Sequence, residues 1–266
     1  MKKPTFEIIQ GDCLEKLQEL ARQGRRFDAL VADPPYCSGA MSPAEITRSK
    51  SLAKYCKRTD LGIFQDVMSQ RVFLWFTRAW LKIARGVLKS PGYIFIFIDW
   101  RQLSTVSDAL QAAGYIWRGL AVWDKINARP NLGHLTQTTE FIVWGTVDEK
   151  RSEKIIQRSV FREPAPKAND RIHPTQKSPE VIADFLRILP DDATSVIDPF
   201  SGSGSTGIAA LSLGLDYVGI EEQDAFVETS RGRLAESLAA MELTGQFIDK
   251  KRKEENKGLF DHEKNA

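Results

Sequence analysis

The chain lacks an excess of either charge: its 266 residues carry 37 Lys and Arg against 35 Asp and Glu, a net charge of +2. That balance excludes a histone-like polycation. It leaves a nucleic-acid partner open, because the field that matters is local. Cysteine is scarce. Cys13, Cys37 and Cys56 are too few to pair fully, and their spacings of 24 and 19 residues fit no zinc pattern. The chain reads as reduced and intracellular. Long apolar runs are missing too. The strongest, Tyr93 to Ile98, is far shorter than the roughly 20 residues that cross a bilayer. The opening MKKPTFEIIQGD meets Glu7 and Asp12 almost at once, unlike a signal peptide. Eighteen Gly and 12 Pro are too few for a fibrous or disordered chain. A soluble cytoplasmic protein without a membrane partner is expected.

What is present is an ordinary globular composition, 42% hydrophobic. The length allows one or two domains at roughly 150 residues each. Short apolar runs alternate with helical stretches, the pattern of an α/β fold. Strands are expected at Phe6 to Ile9, Ala29 to Ala32, Tyr93 to Ile98, Gly119 to Trp123, Phe141 to Trp144, Ser195 to Ile197 and Tyr217 to Ile220. Helices are expected at Cys13 to Arg22, Arg71 to Leu88, Ser104 to Ala113, Glu180 to Leu189, Ile208 to Leu213 and Ala225 to Met241. Pro91-Gly92 is expected to turn the chain, and Lys125 to Thr139 reads as a hairpin loop. Ser178 with Pro179 reads as a helix cap. Residues 37–70 are polar and small, a long mobile connection, and 150–177 show no clear period. The tail 249–266 is charged and is expected to fray.

Two motifs carry chemistry. The first is Gly202-Ser203-Gly204-Ser205-Thr206-Gly207, just after the strand end Val196-Ile197-Asp198-Pro199-Phe200. Glycines let the backbone turn sharply and approach a ligand. The following helix offers free N–H groups to a carboxylate or phosphate. The next strand ends in Glu221, placed to accept hydrogen bonds from ribose hydroxyls. Together these describe a nucleoside-binding half of a doubly wound sheet. Taken alone, the region fits a nicotinamide dinucleotide as readily as any other nucleoside. A glycine-rich turn that only packs a helix on a sheet is the plain alternative.

The second motif is Asp33-Pro34-Pro35-Tyr36, at the carboxyl end of a buried strand. Open α/β sheets place their ligands there. Asp33 and the Pro34 carbonyl can both accept from an amino group, and Tyr36 offers a face for stacking. Two acceptors and a ring suit an exocyclic amine on a planar heterocycle. A strand-ending turn is the plain alternative.

These two motifs, with Gly11-Asp12-Cys13-Leu14 and His173-Pro174-Thr175-Gln176-Lys177, resemble the S-adenosylmethionine-dependent DNA amino-methyltransferases. The order, with DPPY early and the glycine loop late, looks like the beta class. The matches span residues 11 to about 233. The resemblance implies a Rossmann-like, doubly wound, mostly parallel sheet with helices on both faces. It implies one catalytic domain over 1–248, with a short target-recognition insert at about 147–172. It implies that Asp198, Phe200, Ser201, Gly202, Gly204 and Thr206 surround the methionine part of the cofactor, with Glu221 on its ribose. Lys177 and Thr175 would meet the cofactor carboxylate, His173 and Pro174 would shape that loop, and Asp12 would contact the adenine. Asp12 reads equally well as a helix cap with Glu15. His173 also reads as a structural histidine.

The implied reaction moves a methyl group from S-adenosylmethionine to an exocyclic nitrogen, leaving S-adenosylhomocysteine. The sulfonium already activates the methyl group, so no metal is expected. Asp33, Pro34, Pro35 and Tyr36 would form the catalytic pocket for a base flipped out of double-stranded DNA. In this family Asp at the first DPPY position goes mainly with adenine N6, and Ser mainly with cytosine N4. Adenine N6 is therefore preferred over cytosine N4 or an RNA base. A nicotinamide-dependent oxidoreductase leaves DPPY and HPTQK unexplained. A catalytically dead DNA-binding module sits poorly with an intact Asp33 and glycine loop. The resemblance brings restriction-modification as a context, and a homodimer is common in the class.

Local charge supplies candidate DNA contacts. Residues 47–58 hold Arg48, Lys50, Lys54, Lys57 and Arg58 and no acid. Residues 150–177 hold eight basic and three acidic residues, among them Arg158, Arg162, Lys167 and Arg171. Such clusters suit phosphate contacts, although a solvated face is the commoner fate of a charge run.

Overall fold

The continuous apolar runs of the sequence become strands buried on both faces, the mark of a parallel sheet covered by helices. The computed structural model describes residues 3–35, 70–128, 130, 132–133, 135–149, 155–166 and 176–244. Eight strands form one sheet: β1 (Phe6–Gln10), β2 (Phe27–Ala32), β3 (Leu88–Ile98), β4 (Ile116–Asp124), β5 (Thr139–Val147), β6 (Val160–Arg162), β7 (Ser195–Asp198) and β8 (Asp216–Glu221). Their order is β1-β8-β7-β2-β3-β5-β4-β6. Among them only β5 runs against the rest, pairing antiparallel with both β3 and β4. The sheet is thus mostly parallel, as the sequence leads one to expect.

Among the described residues six helices cover it: α1 (Cys13–Arg22), α2 (Gln70–Ala84), α3 (Leu103–Ala112), α4 (Pro179–Leu186), α5 (Ser205–Ser212) and α6 (Asp224–Thr244). Successive strand residues point to opposite faces, so each strand feeds two cores. Leu30, Ile94 and Ile96 pack with Leu17 of α1, Phe73 and Trp80 of α2 and Leu110 of α3. Ala29, Phe95 and Phe97 pack with Phe185 of α4, Ala209 of α5 and Leu234 of α6. The N-terminal helices therefore cover one face and the C-terminal helices the other. Burying each large apolar side chain contributes about 1.5–3 kcal/mol.

Local chemistry sets the helix starts. Asp12 caps α1, its Oδ1 accepting from Leu14 N at 2.9 Å and Glu15 N at 3.1 Å. Ser178 caps α4 by accepting from Val181 N at 3.3 Å, with Pro179 in the first turn. At the amino edge of the sheet, Asp28 joins three strands. It takes Lys89 Nζ at 2.8 Å and the backbone N–H groups of Thr194 and Ser195 at 2.9 and 3.0 Å. That fixes β2 against β3 and β7, and the other ends of β2 and β7 lead into the two sequence motifs.

Three expectations needed correction. Pro91-Gly92 lies inside β3 rather than turning the chain. The pairing of β2 with β3 shifts register between Phe27↔Leu88 and Ala29↔Tyr93, and that irregularity takes up the extra residues. The helix expected through Leu88 ends at Ala84, a short 3-10 turn (Arg85–Val87) follows, and Leu88 already belongs to the sheet. The third is the aperiodic stretch 150–177, where Val122↔Val160 opens a parallel pairing that makes β6 the sheet's last strand. Three residues with one buried side chain, Phe161, carry too little pattern to be seen in sequence. The hairpin loop did form, closing at Asp124↔Thr139. Apart from Gln70, which opens α2, residues 37–70, expected to be a mobile connection, lie outside the described residues, as does the tail 249–266.

Candidate active site

The carboxyl ends of β8, β7 and β2 lie side by side, and each delivers one element of the site. The glycine loop leaves β7 after Asp198. Gly202 and Gly204 take φ values of 51° and 82°, a left-handed conformation that a side chain would strain. Gly207 is needed for a different reason. A Cβ there would stand 2.6 Å from Leu234 and 2.7 Å from the Tyr217 ring, so only glycine lets α5 approach β8 and α6 this closely.

Backbone groups dominate the rest of this corner. Glu221 Oε2 accepts from Gly202 N at 2.9 Å, and its Oε1 accepts from Gln223 N at 2.9 Å. Asp198 Oδ1 accepts from Phe200 N at 2.8 Å. Asp198 also accepts a side-chain hydrogen bond from Thr206. Burial pushes the Asp198 carboxyl up to about 7, with the Asp33 and Glu221 charges adding to the rise. Burial likewise raises Glu221, and its backbone donors only partly oppose this. Phe200 is wedged against α2, its ring 6.1 Å from Phe76 and 5.4 Å from Trp80. Ser201 Oγ accepts from the Tyr217 hydroxyl at 3.0 Å. In the first turn of α5, the buried Ser205 Oγ has no hydrogen-bond partner among the described residues.

Asp33, at the end of β2, is treated differently. Its Oδ2 meets Lys177 Nζ at 3.1 Å. Lys177 also meets Glu140 Oε2 at 3.1 Å, and Glu140 Oε1 takes Lys125 Nζ at 2.9 Å. The Lys177 ammonium lies 5.4 Å over the Phe97 ring and is almost wholly buried. Burial alone would lower the Lys177 pKa, but Asp33 and Glu140 outweigh it and raise it. Burial alone would raise Glu140, but Lys177 and Lys125 hold it below the usual carboxylate range.

This edge sets the Asp33 carboxylate beside the glycine loop, since β2 pairs with β7. A family model described as DNA methylase, for N6 and N4 methyltransferases, matches residues 27–232. The chain belongs to this DNA methylase family. The nicotinamide-dependent oxidoreductase and the inert binding module therefore fall away.

The methylase is 27% identical to Type II methyltransferase M2.MboI of Moraxella bovis, over 94% of each chain. It is 26% identical to M2.LlaDCHI of Lactococcus lactis subsp. cremoris, over 88% of this chain and 93% of the relative. Its fold matches the M1.HpyAVI–SAM complex with a TM-score of 0.63, at 22% identity over 86% of this chain and 99% of that one. It also matches the PvuII cytosine-N4-specific DNA methyltransferase with a TM-score of 0.64, at 14% identity over 93% and 95%.

The methylase fold brings together Asp12, Asp33, Lys177, Asp198, Phe200, Ser201, Gly202, Gly204, Thr206 and Glu221 at one edge. Gly11 N bonds the Glu221 carbonyl at 2.9 Å, which places the Asp12 cap beside the glycine loop. Pro34 is buried and Pro35 exposed, while Tyr36, His173, Pro174 and Thr175 lie outside the described residues. So do Arg48, Lys50, Lys54, Lys57, Arg58, Lys167 and Arg171. Arg158 is exposed, and Arg162 on β6 donates to Asp124 at 3.0 Å, at the far edge of the sheet from the glycine loop. Sequence reasoning missed Glu140, Lys125 and Phe97. The expected hairpin held a signal for two of them, since it sets Lys125 just past one strand and Glu140 at the start of its partner. Among the described residues, no helix is long and apolar enough to cross a membrane.

Proposed function

We propose that this chain is a cytoplasmic, beta-class DNA adenine-N6 methyltransferase. It transfers a methyl group from S-adenosylmethionine to the exocyclic amine of an adenine flipped out of double-stranded DNA. The observation that carries this reading is the adjacency of Asp33, just after β2, and the glycine loop, just after β7, at one edge of neighbouring strands. Asp at the first position of DPPY supports adenine over cytosine.

The residues present fit the cofactor. Glycines with positive φ leave a backbone cradle, and Ser205 keeps a buried hydroxyl without a partner among the described residues. Asp198 is a buried acid and Glu221 a half-buried one, and a cationic ligand favours the ionised form of each. The glycine loop, Asp198, Thr206 and Ser205 would hold the methionine part, and Glu221 the ribose, exchanging its present backbone donors for hydroxyls. S-Adenosylmethionine, when bound, supplies a methyl group already activated by the sulfonium.

The chain's own work is positioning and charge placement. Asp33 and the Pro34 carbonyl accept from the two amine protons. That turns the nitrogen lone pair toward the methyl group and disfavours its delocalisation into the ring. Tyr36 stacks on the flipped base. Asp33 would carry off the proton that the amine gives up on methylation, passing it along its hydrogen bond to water so that the product amine ends neutral. The basic residues around 47–58 and 150–177, Arg158 and Arg162 among them, contact the phosphates. Residues 1–248 act as one catalytic unit, with 147–172 reading part of the sequence.

The test is transfer of labelled methyl groups to unmethylated duplex DNA, followed by digestion to nucleosides. Label on N6-methyladenine supports the reading. Label on N4-methylcytosine overturns the choice of base, and absence of transfer overturns the function.

A further inference from the structure

Asp33 is the one side chain asked to hold the target amine, and it sits at the end of a partly buried row of charges that this reaction has not used. Lys125, Glu140, Lys177 and Asp33 alternate in sign, with contacts of 2.9, 3.1 and 3.1 Å. Each comes from a different element: the residue after β4, the start of β5, the approach to α4 and the residue after β2. The Lys177 side chain is 6% exposed, against 26% for Asp33. Such burial of an ammonium is costly unless it is paired. Here two carboxylates and the Phe97 ring surround it.

We propose that Lys177 is a positioning residue for methyl transfer, holding Asp33 ionised and turned toward the target amine, with Glu140 and Lys125 fixing Lys177 in turn. This rests on the reading of Asp33 as the acceptor for that amine. An ionised carboxylate only accepts, whereas a protonated one presents a hydroxyl donor. A donor there would compete for the lone pair that must attack. Among the described residues, the charged groups set against Asp33 include Lys177 beside it, Asp198 on β7, and Glu140 behind the ammonium. Without Lys177, three acids share this corner with Lys125 as the cation left among the described residues. Like charges so close drive one of them to take up a proton.

The experiment measures kcat, KM for duplex DNA and cofactor Kd between pH 6 and 9 for the full chain. The variants are Lys177→Met, Lys177→Arg, Glu140→Gln and the double variant Lys177→Met/Glu140→Gln. Lys177→Met should lose about a hundredfold in kcat at pH 7, the scale of a small misplacement of a reacting group. Its rate should climb with pH as Asp33 ionises, with cofactor Kd and DNA KM within about threefold of wild type. Lys177→Arg should restore the wild-type pH profile at reduced kcat. Glu140→Gln should lose about three- to tenfold with an unchanged profile. The double variant should stay slow but lose most of the climb, because one repelling charge is gone.

A pH-independent loss in Lys177→Met overturns the proposal. So does a cofactor Kd weakened tenfold with kcat intact at saturation, which gives the ammonium to the cofactor carboxylate instead. If Lys177→Met does not fold, Glu140→Gln decides, and a kcat within twofold of wild type overturns the proposal. Failure of the underlying reading is separate: wild-type protein would then make no methylated amine.

Discussion

At the glycine loop, the acids Asp198 and Glu221 are met mainly by backbone N–H groups. Across the same sheet edge, the acids Asp33 and Glu140 are met by lysines. The first corner leaves its carboxyls raised, Asp198 to about 7. The second holds Glu140 below its ordinary range and Lys177 above its own. One corner is incomplete in charge and suits a cationic ligand. The other is complete and suits a neutral base that needs a fixed acceptor. Steric change should therefore break the first corner, and charge change the second.

The largest expected effect is on the charged corner. Asp33→Ala should reduce methyl transfer at least a thousandfold, with the rate read by label incorporation. The fold should survive, since Asp33 closes β2 rather than filling the core.

The backbone-built corner should fail sterically. Gly207→Ala puts a Cβ 2.6 Å from Leu234 and 2.7 Å from Tyr217, overpacking that costs about 1–3 kcal/mol. Denaturant unfolding should report that loss. Asp28→Ala, at the opposite edge, should cost a similar ~1–3 kcal/mol by removing the charged acceptor that Lys89 and two strand-end N–H groups share. Its cofactor affinity should stay near that of wild type, which separates stability from ligand binding.

The pH prediction concerns Asp198. Its folded pKa of about 7 lies above its ordinary value, so the folded protein binds the extra proton. In the ligand-free protein its contribution therefore favours folding at low pH and fades as pH rises through about 7. Thermal melting of wild type against Asp198→Asn should show that slope. Cofactor binding has the opposite sign. A cationic ligand needs the ionised form, so affinity should fall up to about tenfold per pH unit below 7. The cofactor's own amino group titrates with both proteins, so the difference between them reports Asp198.

The smallest effect should come from the far edge. Arg162 is exposed and already shared with Asp124, so Arg162→Ala should weaken DNA binding only about two- to fivefold, read by titration at fixed salt.

The glycine loop and DPPY were legible because each is a local chemical necessity at a strand end. Gly202 and Gly204 need positive φ, and Asp33 follows an apolar run that reads as a buried strand. Ser178-Pro179 and Asp12 announce their helices in the same local way. Glu140 was not legible alone. It meets Lys177 only because β5 runs backward and brings its first residues to the edge where parallel strands end. Lys177 was found through its motif, but the motif assigns it to the cofactor, and only the fold shows Asp33 and Glu140 within 3.1 Å. β6 was missed because pairing with β4, rather than periodicity, makes Val160–Arg162 a strand.

The central claim is that the two corners do separate work. Calorimetric titration of S-adenosylmethionine into Asp33→Ala and Asp198→Asn, side by side at pH 8, tests it most directly. The account predicts that Asp33→Ala binds within about threefold of wild type while Asp198→Asn binds at least tenfold more weakly. Equal weakening in both, or loss only in Asp33→Ala, would contradict it.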